Sequence, residues 1–414
     1  VVNIFMNKFL TEFKERGFFY QCTGEDNLSN LLDKEKINAY IGFDCTAESL
    51  HVGSLLQIMC LRLLQKHGHR PIVLLGGGTT RIGDPSGKDK TRIILSEDEI
   101  EKNINNIKKI LKNFLNDKDP KTKPIFVNNY TWLKGLNYIS FLRDIGKHFT
   151  INKMLSFDSV KTRLEREQSL SYMEFNYMIL QAYDFLELNK TKNCMLQIGG
   201  SDQWGNIVNG VDLIKRYSSN HVYGLTTPLI TLASGAKMGK TESGAVWLDK
   251  KFLSPYDYWQ FWRNIDDRDV LKFIKIFTDI DINQIEKIKN NNINELKILL
   301  ANKATQMLHG EQEAKNSEET AKQTFTDNFL GENLPSIIIN KKKLDNTITL
   351  IDLIVLSNLE SSKSEIRRLI KGNGVKINNQ VMTDEKLIIN LDLFKDNLLK
   401  LSLGKKRHIK VELN

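Results

Sequence analysis

The sequence contains few of the residues that build covalent or membrane-bound scaffolds. Its 414 residues include only four cysteines and seven prolines. The cysteines (Cys22, Cys45, Cys60 and Cys194) are far apart and form no Cys-x-x-Cys pair, which argues against a zinc site or a disulfide framework. Reduced thiols in a cytoplasmic compartment fit this pattern better. No stretch approaches the run of about 18 apolar residues that a membrane-spanning helix requires.

The composition is that of a globular protein with more than one core. Apolar residues make up 41% and charged residues 26% of the chain. At this length two or three domains are expected, and the core needs no disulfides to support it. A formal net charge of +9 makes an acidic partner such as nucleic acid worth testing. The first 19 residues alternate charged and apolar positions, which predicts an amphipathic helix rather than a signal peptide.

Strand and helix patterns alternate over the first part of the chain. Residues 37–44 have the pattern of a buried strand, residues 55–66 that of a helix, and residues 70–78 that of a second strand. Strand, helix and strand in this order predict a parallel sheet. Because the alternation continues to about residue 249, the sequence predicts an α/β, Rossmann-like doubly wound catalytic domain over residues 1–250.

Two further regions follow. Residues 251–330 show helical periods with little strand signal and predict a helical domain, and Pro335 and a lysine run predict a linker over residues 331–345. Residues 346–414 predict a small α+β unit. In that unit Ser362 and Glu365 predict a capping box, Gly372 a helix end, and residues 375–381 a hairpin.

A glycine-rich stretch, GGGTTRIGDPSGKDKTR at residues 76–92, fits neither of two known phosphate-binding patterns. Ile82 occupies a position where a Walker loop needs glycine. Arg81 occupies the third glycine position of a dinucleotide fingerprint. The stretch therefore offers a turn at a strand end with one acid and two cations: Asp84, Lys88 and Arg92.

Two short segments suggest phosphate binding. The first, HVGS at residues 51–54, places His51 and Gly53 at the start of a helix, where free N–H groups attract phosphate. The second, KMGKT at residues 237–241, lies between glycines and could close over a polyphosphate. In isolation, a surface histidine with a packing glycine and a solvated basic turn are the commoner interpretations.

Taken together, these segments resemble the class I tyrosyl-tRNA synthetases of bacterial type. YIGFD, HVGS, GDPSGKDKTR, YMILQAYDF, GGSDQWGN and KMGKT occur in the family order. HVGS is similar to the first signature of that family and KMGKT to its second. The C-terminal unit resembles an S4-type RNA-binding domain, so the resemblance covers essentially the whole chain.

The resemblance implies an activity and its partners. The family activates tyrosine with ATP, releases pyrophosphate and passes the tyrosyl group from the adenylate to the 3′ end of tRNA(Tyr). The resemblance implies that ATP binds together with Mg²⁺ and that the protein alone forms no metal site. It also implies that the chain forms a homodimer, binds tRNA, does not bind a membrane and works in the cytoplasm. The helical domain would bind the anticodon region, and the S4-like unit the variable arm.

The resemblance also implies roles for individual residues. The reacting phosphates would be contacted by His51, Thr46, Lys88, Arg92, Lys237, Lys240 and Thr241. Tyrosine would be bound by Tyr40, Asp84, Tyr177, Gln181, Asp184 and Gln203. ATP would be bound by Gly42, Asp44, His51, Gly53, Ser54, Gly200, Asp202 and Lys240. The tRNA would be bound by Arg367, Arg368, Lys371, Lys405, Lys406 and Arg407, although most such charge runs are simply solvated.

Three positions depart from the family pattern. Ser54 replaces a histidine, Cys45 replaces a proline, and Ile41 replaces a smaller residue. Cys45 is either a thiol beside the phosphate pocket that an electrophile could block, or a buried inert thiol.

Two alternative functions remain open: a tryptophanyl-type synthetase, and an RNA-binding protein without catalysis. Asp184 and Tyr40 argue against the first, because an indole would not satisfy both groups. The lysines of KMGKT argue against the second.

Overall fold

The computed structural model describes residues 7–85, 95–236, 238–241, 244–326, 334–344, 348–404 and 407–414. These residues form two compact units. The first takes in the described residues up to 239 together with 247–249 and 266–291, and the second takes in the rest. No helix in the described ranges is long and apolar enough to span a membrane.

The strands and helices of the described residues follow in chain order. The strands are β1 Gln21–Cys22, β2 Asn38–Phe43, β3 Arg70–Leu75, β4 Ile125–Asn128, β5 Cys194–Gly200, β6 Tyr223–Thr227, β7 Lys240–Thr241, β8 Gly244–Ala245, β9 Ser336–Ile339, β10 Val375–Ile377, β11 Gln380–Val381, β12 Leu398–Leu403 and β13 Arg407–Leu413. The helices are α1 Lys8–Glu15, α2 Glu25–Lys34, α3 Leu55–Lys66, α4 Glu97–Phe114, α5 Tyr130–Leu133, α6 Tyr138–Asp144, α7 Ile151–Leu155, α8 Asp158–Glu165, α9 Tyr172–Lys192, α10 Trp204–Ser218, α11 Pro255–Arg263, α12 Val270–Phe277, α13 Ile282–Ile288, α14 Ile293–His309, α15 Glu311–Thr326, α16 Leu350–Leu356 and α17 Lys363–Lys371.

The first unit is built on a sheet in the order β1-β6-β5-β2-β3-β4. All neighbouring strands are parallel except β1, which is antiparallel to β6. The chain moves outward from β2 to β4 and then returns to place β5 on the other side of β2. The predicted doubly wound α/β sheet is therefore confirmed, and its switch point lies between β2 and β5, where such folds bind ligands.

The helix signals in the sequence have their expected structural causes. The helix predicted over residues 55–66 is confirmed as α3. Two other helices of this unit begin with a reciprocal capping box, α4 at Ser96 and α9 at Ser171. Helix α9 ends at Asn193, whose φ of 47° is the left-handed conformation typical of a helix terminus.

The segment 266–291 belongs to the first unit, and a buried arginine is among the residues that hold it there. The Arg16 guanidinium, only 4% exposed, donates to the backbone carbonyls of Lys275, Thr278 and Ile280 at 2.7–2.9 Å. Residues 251–330, predicted as one helical domain, are thus divided. Helices α12 and α13 join the first unit, whereas α11, α14 and α15 lie in the second.

The second unit contains a helical part and a sheet. In the helical part, the Trp259 Nε1–H donates to Asn302 Oδ1 at 2.7 Å, which ties α11 to α14. The sheet has the order β11-β10-β12-β13-β9 and packs with α16 and α17 around an aliphatic core. Strand β9 lies inside residues 331–345, which the sequence predicted to be a linker. Its isoleucines join the sheet despite the adjacent Pro335, because β9 pairs in parallel with β13.

The start of α17 corrects one local prediction. The Ser362 hydroxyl accepts the Glu365 N–H at 3.3 Å, as expected for an N-cap. The Glu365 carboxylate bonds to Arg368 instead of returning to Ser362, so only half of the predicted capping box forms. The helix ends at Gly372, and residues 375–381 form the predicted hairpin, with Asn378 and Asn379 at positive φ in its turn.

Candidate active site

A pocket of about 420 Å³ opens at the carboxyl ends of β2 and β5. Most of the predicted site residues that the structure describes meet there. Those that line it are Tyr40, Gly42, Asp44, Thr46, Gly53, Ser54, Asp84, Tyr177, Gln181, Asp184, Gly200, Asp202 and Gln203. They come from strands, loops and helices far apart in the sequence, so the switch point of the sheet is what assembles them.

A buried acid and a buried phenol form the deep end of the pocket. Asp184 is 2% exposed and Tyr40 is 1% exposed. The Asp184 carboxylate accepts the Asn129 amide at 2.9 Å and the Trp132 indole N–H at 2.7 Å. Among the described residues the Tyr40 hydroxyl has no hydrogen-bond partner. A ligand group that can both donate and accept a hydrogen bond is therefore favoured here.

Burial sets the protonation of this acid. Loss of hydration raises the pKa of Asp184 to about 7, the two N–H donors oppose that rise, and the nearby charge of Asp44 adds to it. Burial, with the charge of Asp184, likewise raises the pKa of Tyr40. Asp184 therefore changes charge near neutral pH, where a donor from a ligand would favour the ionised form.

The other end of the pocket is a network of polar side chains. Tyr177, Gln181 and Asp184 line the pocket from one face of α9, as their spacing predicts. The Tyr177 hydroxyl donates to Asp44 at 3.2 Å. Nearby, the Gln203 amide donates to Asp84 at 2.8 Å. Carboxylates and amides at this end provide acceptors for an ammonium group.

His51 lies beside the pocket and does not line it. Its Nδ1 accepts the Gly53 N–H at 3.0 Å, so the ring proton is on Nε2 in the neutral form. Gly53 and Ser54, at the start of α3, do line the pocket. The imidazole is therefore next to the positive end of the α3 dipole, which suits an anion.

Residues on both sides of β7 and β8 pack against His51. A Cβ at Gly239 would lie 2.8 Å from His51 Nδ1 and 3.0 Å from the Gly53 nitrogen, and Gly239 has a φ of 101°. Only glycine tolerates both constraints. On the other side, Trp247 forms an antiparallel bridge with His51. The two predicted signatures are therefore in contact at this point.

Several predicted cations cannot be placed. Lys88, Arg92, Lys237, Lys405 and Lys406 lie outside the described residues. The backbones of Lys240 and Thr241 form β7, which pairs with β8, but their side chains are not among those described. Their roles stay predictions.

Cys45 is the buried, inert thiol of the two interpretations. It is fully buried and its sulfur donates to the Phe43 carbonyl at 3.6 Å. Burial and the charge of Asp44 raise the pKa of Cys45 to about 12. These observations favour the buried, inert thiol over one that an electrophile could block. The other two departures, Ile41 and Ser54, line the pocket.

Comparison with known proteins agrees with the geometry. Residues 32–326 match the profile described as tRNA synthetases class I (W and Y), and residues 350–392 match the S4 domain. A protein of Pelagibacter ubique named tyrosine–tRNA ligase is 85% identical over 408 residues, which cover 99% of this chain and 100% of the relative. One from Wolbachia with the same name is 56% identical over 410 residues and 98% of each chain.

The chain belongs to the bacterial-type tyrosyl-tRNA synthetases.

Solved structures agree with this synthetase fold. A C-terminally truncated mitochondrial tyrosyl-tRNA synthetase from Aspergillus nidulans is 30% identical, with a TM-score of 0.69 over 77% of this chain and 94% of that one. The tyrosyl-tRNA synthetase of Archaeoglobus fulgidus, solved with L-tyrosine, is 16% identical with a TM-score of 0.56, and it supports the fold alone.

Four of the six cations predicted to bind tRNA lie within the described residues, and their role stays a prediction. Arg367, Arg368 and Lys371 are exposed on α17. Arg368 forms an ion pair with Glu365, and such an exposed pair holds its partner only weakly. Arg407 is more firmly held, because its guanidinium donates to the Leu359 carbonyl at 2.7 Å.

The sequence analysis missed the residues that hold the acid of the synthetase pocket. Asn129 and Trp132 bind the Asp184 carboxylate, and Thr79 bonds to Asp44. A signal existed for one of them. Asn129 comes directly after β4, at the edge of the sheet where carboxyl ends of parallel strands gather.

Proposed function

We propose that this synthetase activates L-tyrosine with ATP in the pocket at the ends of β2 and β5 and then transfers tyrosine to tRNA(Tyr). As a member of its family the chain is an ATP-dependent tyrosine–tRNA ligase, and the proposal assigns the steps to its residues. The observation that carries it is that Asp184 is buried in the same pocket as the Tyr40 hydroxyl, which has no hydrogen-bond partner in the described part of the chain.

A phenol satisfies both groups at once. The substrate hydroxyl would donate to the Asp184 carboxylate and accept from the Tyr40 hydroxyl. Phenylalanine would leave the Tyr40 hydroxyl without a partner and would add no donor to the Asp184 carboxylate, and a buried unpaired polar group costs about 1–3 kcal/mol. An indole N–H could donate to Asp184 but offers Tyr40 no acceptor, which favours tyrosine over tryptophan.

The polar end would bind the rest of the amino acid. Asp84, Tyr177 and Gln181 would bind the ammonium group, and Gln203 the carboxyl end. The substrate carboxylate is ionised at neutral pH, so its attack on the α-phosphate needs no general base. The bond from the α-phosphorus to the bridging oxygen breaks, and pyrophosphate leaves with the electron pair. Positioning and charge stabilisation then account for the rate.

The start of α3 would bind the departing phosphates. The His51 Nε2–H would provide a donor and the start of α3 a partial positive charge, with Thr46, Gly53 and Ser54 in the pocket wall. Gly42, Asp44, Gly200 and Asp202 would contact adenosine or its phosphate. The cations Lys88, Arg92, Lys237 and Lys240, with Thr241, would complete the contacts to the polyphosphate.

Mg²⁺ would enter as part of the nucleotide substrate. No group of three or more metal-binding side chains occurs within the described ranges. Such an ion would be held mainly by phosphate oxygens and water, and it would neutralise charge on the triphosphate.

The remaining regions would bind tRNA. Helices α11, α14 and α15 would contact the anticodon region, and the unit from β9 onward would contact the variable arm through α17. The exposed cations Arg367, Arg368 and Lys371 support this, as does the match to the S4 domain.

A second copy of the chain would cover an apolar groove beside α6 and α9. The groove has a volume of about 450 Å³, and its walls include Leu142 and Met173. Tyr138 and Tyr172 on the same surface are 58% and 66% exposed, which is unusual for side chains of this size. Sedimentation equilibrium should report twice the chain mass of 47.7 kDa, and a single-chain mass at micromolar concentration would refute the homodimer.

The four free cysteines are compatible with a protein that works in the reducing cytoplasm.

Two assays on two forms of the chain test the proposal. ATP–pyrophosphate exchange should depend on tyrosine, with little exchange on tryptophan or phenylalanine. A chain that ends before Leu334, which removes the whole β9-containing sheet, should keep this exchange and lose charging of tRNA(Tyr). Absence of tyrosine-dependent exchange in the full chain would refute the activation step. Normal charging by the shortened chain would refute the RNA-binding role.

A further inference from the structure

A chain of hydrogen bonds joins the two carboxylates at opposite ends of the pocket. Asn129 Nδ2 donates to Asp184 Oδ2 at 2.9 Å and to Thr79 Oγ1 at 3.0 Å. The Thr79 hydroxyl in turn bonds to Asp44 Oδ1 at 3.1 Å. Thr79 is 2% exposed, at the pocket wall, and Asn129 is fully buried, so these partners are largely shielded from water.

The direction of every bond in this chain is fixed. The Gly78 N–H donates to Asn129 Oδ1 at 2.7 Å, which identifies that atom as the oxygen of the amide. Both hydrogens of the Asn129 amide are then used, one for Asp184 and one for Thr79. The single hydroxyl hydrogen of Thr79 goes to Asp44, because a carboxylate can only accept.

The first glycine of the GGGTT stretch makes room for this contact. A Cβ at Gly76 would lie 2.6 Å from Asp44 Oδ1 and 2.6 Å from Thr79 Oγ1. Real Cβ atoms are not found so close to two oxygens. Close packing against Asp44 and Thr79 therefore explains the glycine at position 76, which neither phosphate-binding pattern explains.

We propose that Thr79 is a positioning residue for recognition of the substrate hydroxyl. Its hydroxyl holds the Asn129 amide, and the amide holds the Asp184 carboxylate in the orientation that accepts the phenol. Without it, one N–H of Asn129 is buried with no acceptor, and the amide turns away from Asp184 to find one. The inference rests on the proposed function, since it takes tyrosine as the substrate.

Matched threonine variants test the inference in the full chain. Thr79→Val removes the hydroxyl at nearly constant volume, and Thr79→Ser retains it. Thr226→Val is the control, because Thr226 is fully buried in β6 and its hydroxyl bonds only weakly, to Gln21 O at 3.4 Å. For each variant, kcat and KM are measured for tyrosine and phenylalanine in ATP–pyrophosphate exchange, together with Tm.

The ratio of kcat/KM for tyrosine to that for phenylalanine is the decisive quantity. Thr79→Val should lower it about tenfold, through a higher KM for tyrosine, because one buried hydrogen bond is lost. Thr79→Ser should stay within about twofold of the parent, and Thr226→Val should leave the ratio unchanged whatever its Tm. A general loss of stability cannot produce this pattern.

Gly76→Ala provides a second route if Thr79→Val does not fold. It separates Thr79 from Asp44 without removing a hydroxyl, and it should lower the same ratio. An unchanged ratio in the folded variants overturns the inference, as does a rise in KM for ATP alone, which would confine Thr79 to the Asp44 end. If the parent itself shows no tyrosine-dependent exchange, the proposed function fails instead.

Discussion

Two carboxylates of the first unit, Glu12 and Asp184, have opposite surroundings. The Glu12 carboxylate accepts three hydrogen bonds: from the Arg16 Nε–H at 2.8 Å, from the Lys66 ammonium at 2.6 Å and from the His67 ring N–H at 2.8 Å. Burial would raise the pKa of Glu12, but these hydrogen bonds outweigh it and lower the pKa to about 2. Asp184 has two neutral N–H donors and no cation as a hydrogen-bond partner within the described residues, and its pKa rises to about 7.

The difference separates a carboxylate that stabilises the fold from one kept for a ligand. The stability that Glu12 contributes is present above its unfolded pKa and is lost as pH falls toward 2. The stability that Asp184 contributes changes with pH in the opposite direction, because the folded state holds the Asp184 proton more tightly than the unfolded state does. Its contribution is lost as pH rises from about 4 to about 7. A site that costs stability when ionised needs a functional reason, and a phenol donor supplies one.

The largest expected effect comes from removing the charge at the pocket. Asp184→Asn should lower kcat/KM for tyrosine in ATP–pyrophosphate exchange about 100-fold, near 3 kcal/mol, because the phenol loses a charged acceptor. Phenylalanine should be affected much less, since it makes no such bond. The Tm at pH 8 should change little, because loss of the unfavourable buried charge offsets the cost of an amide N–H that faces either Asn129 or Trp132. A loss of Tm with intact tyrosine kinetics would make Asp184 a structural residue.

The reverse pattern is expected at Glu12. Glu12→Gln should lower the free energy of unfolding at pH 7 by about 2 kcal/mol, a value reduced from that of a dry ion pair because Glu12 is 13% exposed. Denaturant titration measures it, and the kinetics on tyrosine should stay the same. Glu15→Gln on the same helix is the control, since Glu15 is exposed and should change stability by less than about 0.5 kcal/mol. Equal effects at both positions would contradict the comparison.

The smallest expected effect is a pH dependence set by Asp184. As pH falls below 7 the carboxylate gains a proton and stops being an acceptor, so kcat/KM for tyrosine should decrease up to about tenfold per pH unit. The midpoint should lie near 7, from the raised pKa of Asp184. Phenylalanine should show no such midpoint. A tyrosine profile that is flat between pH 6 and 8 would mean that Asp184 does not titrate there.

Much of this architecture could be predicted from the sequence, because its signals are local. The strand at residues 37–44 and the helix at residues 55–66 can both be predicted from the spacing of their apolar residues. What failed depended on distant partners. Strand β9 pairs with the distant β13, and the carbonyls of segment 266–291 accept hydrogen bonds from Arg16, near the start of the chain.

The same distinction holds in the pocket. Motifs and the family resemblance place most of its wall, including Tyr177 and Asp184, because those side chains follow helix spacing. The residues that hold the Asp184 carboxylate in place could not be predicted in this way. Asn129 and Thr79 contact it or each other across about 50 residues of sequence, and ordinary polar residues near strand ends carry no motif.

The way Arg16 holds residues 275–280 constrains how the protein is made. The pocket-bearing unit is assembled from stretches that include α1 at one extreme and α13 at the other. During vectorial synthesis the guanidinium of α1 must wait until its carbonyl acceptors leave the ribosome, more than 250 residues later. Until then only the Nε–H of this buried arginine has its native side-chain partner, Glu12, and the remaining N–H groups must bond to water, so this unit cannot complete its folding early on the nascent chain.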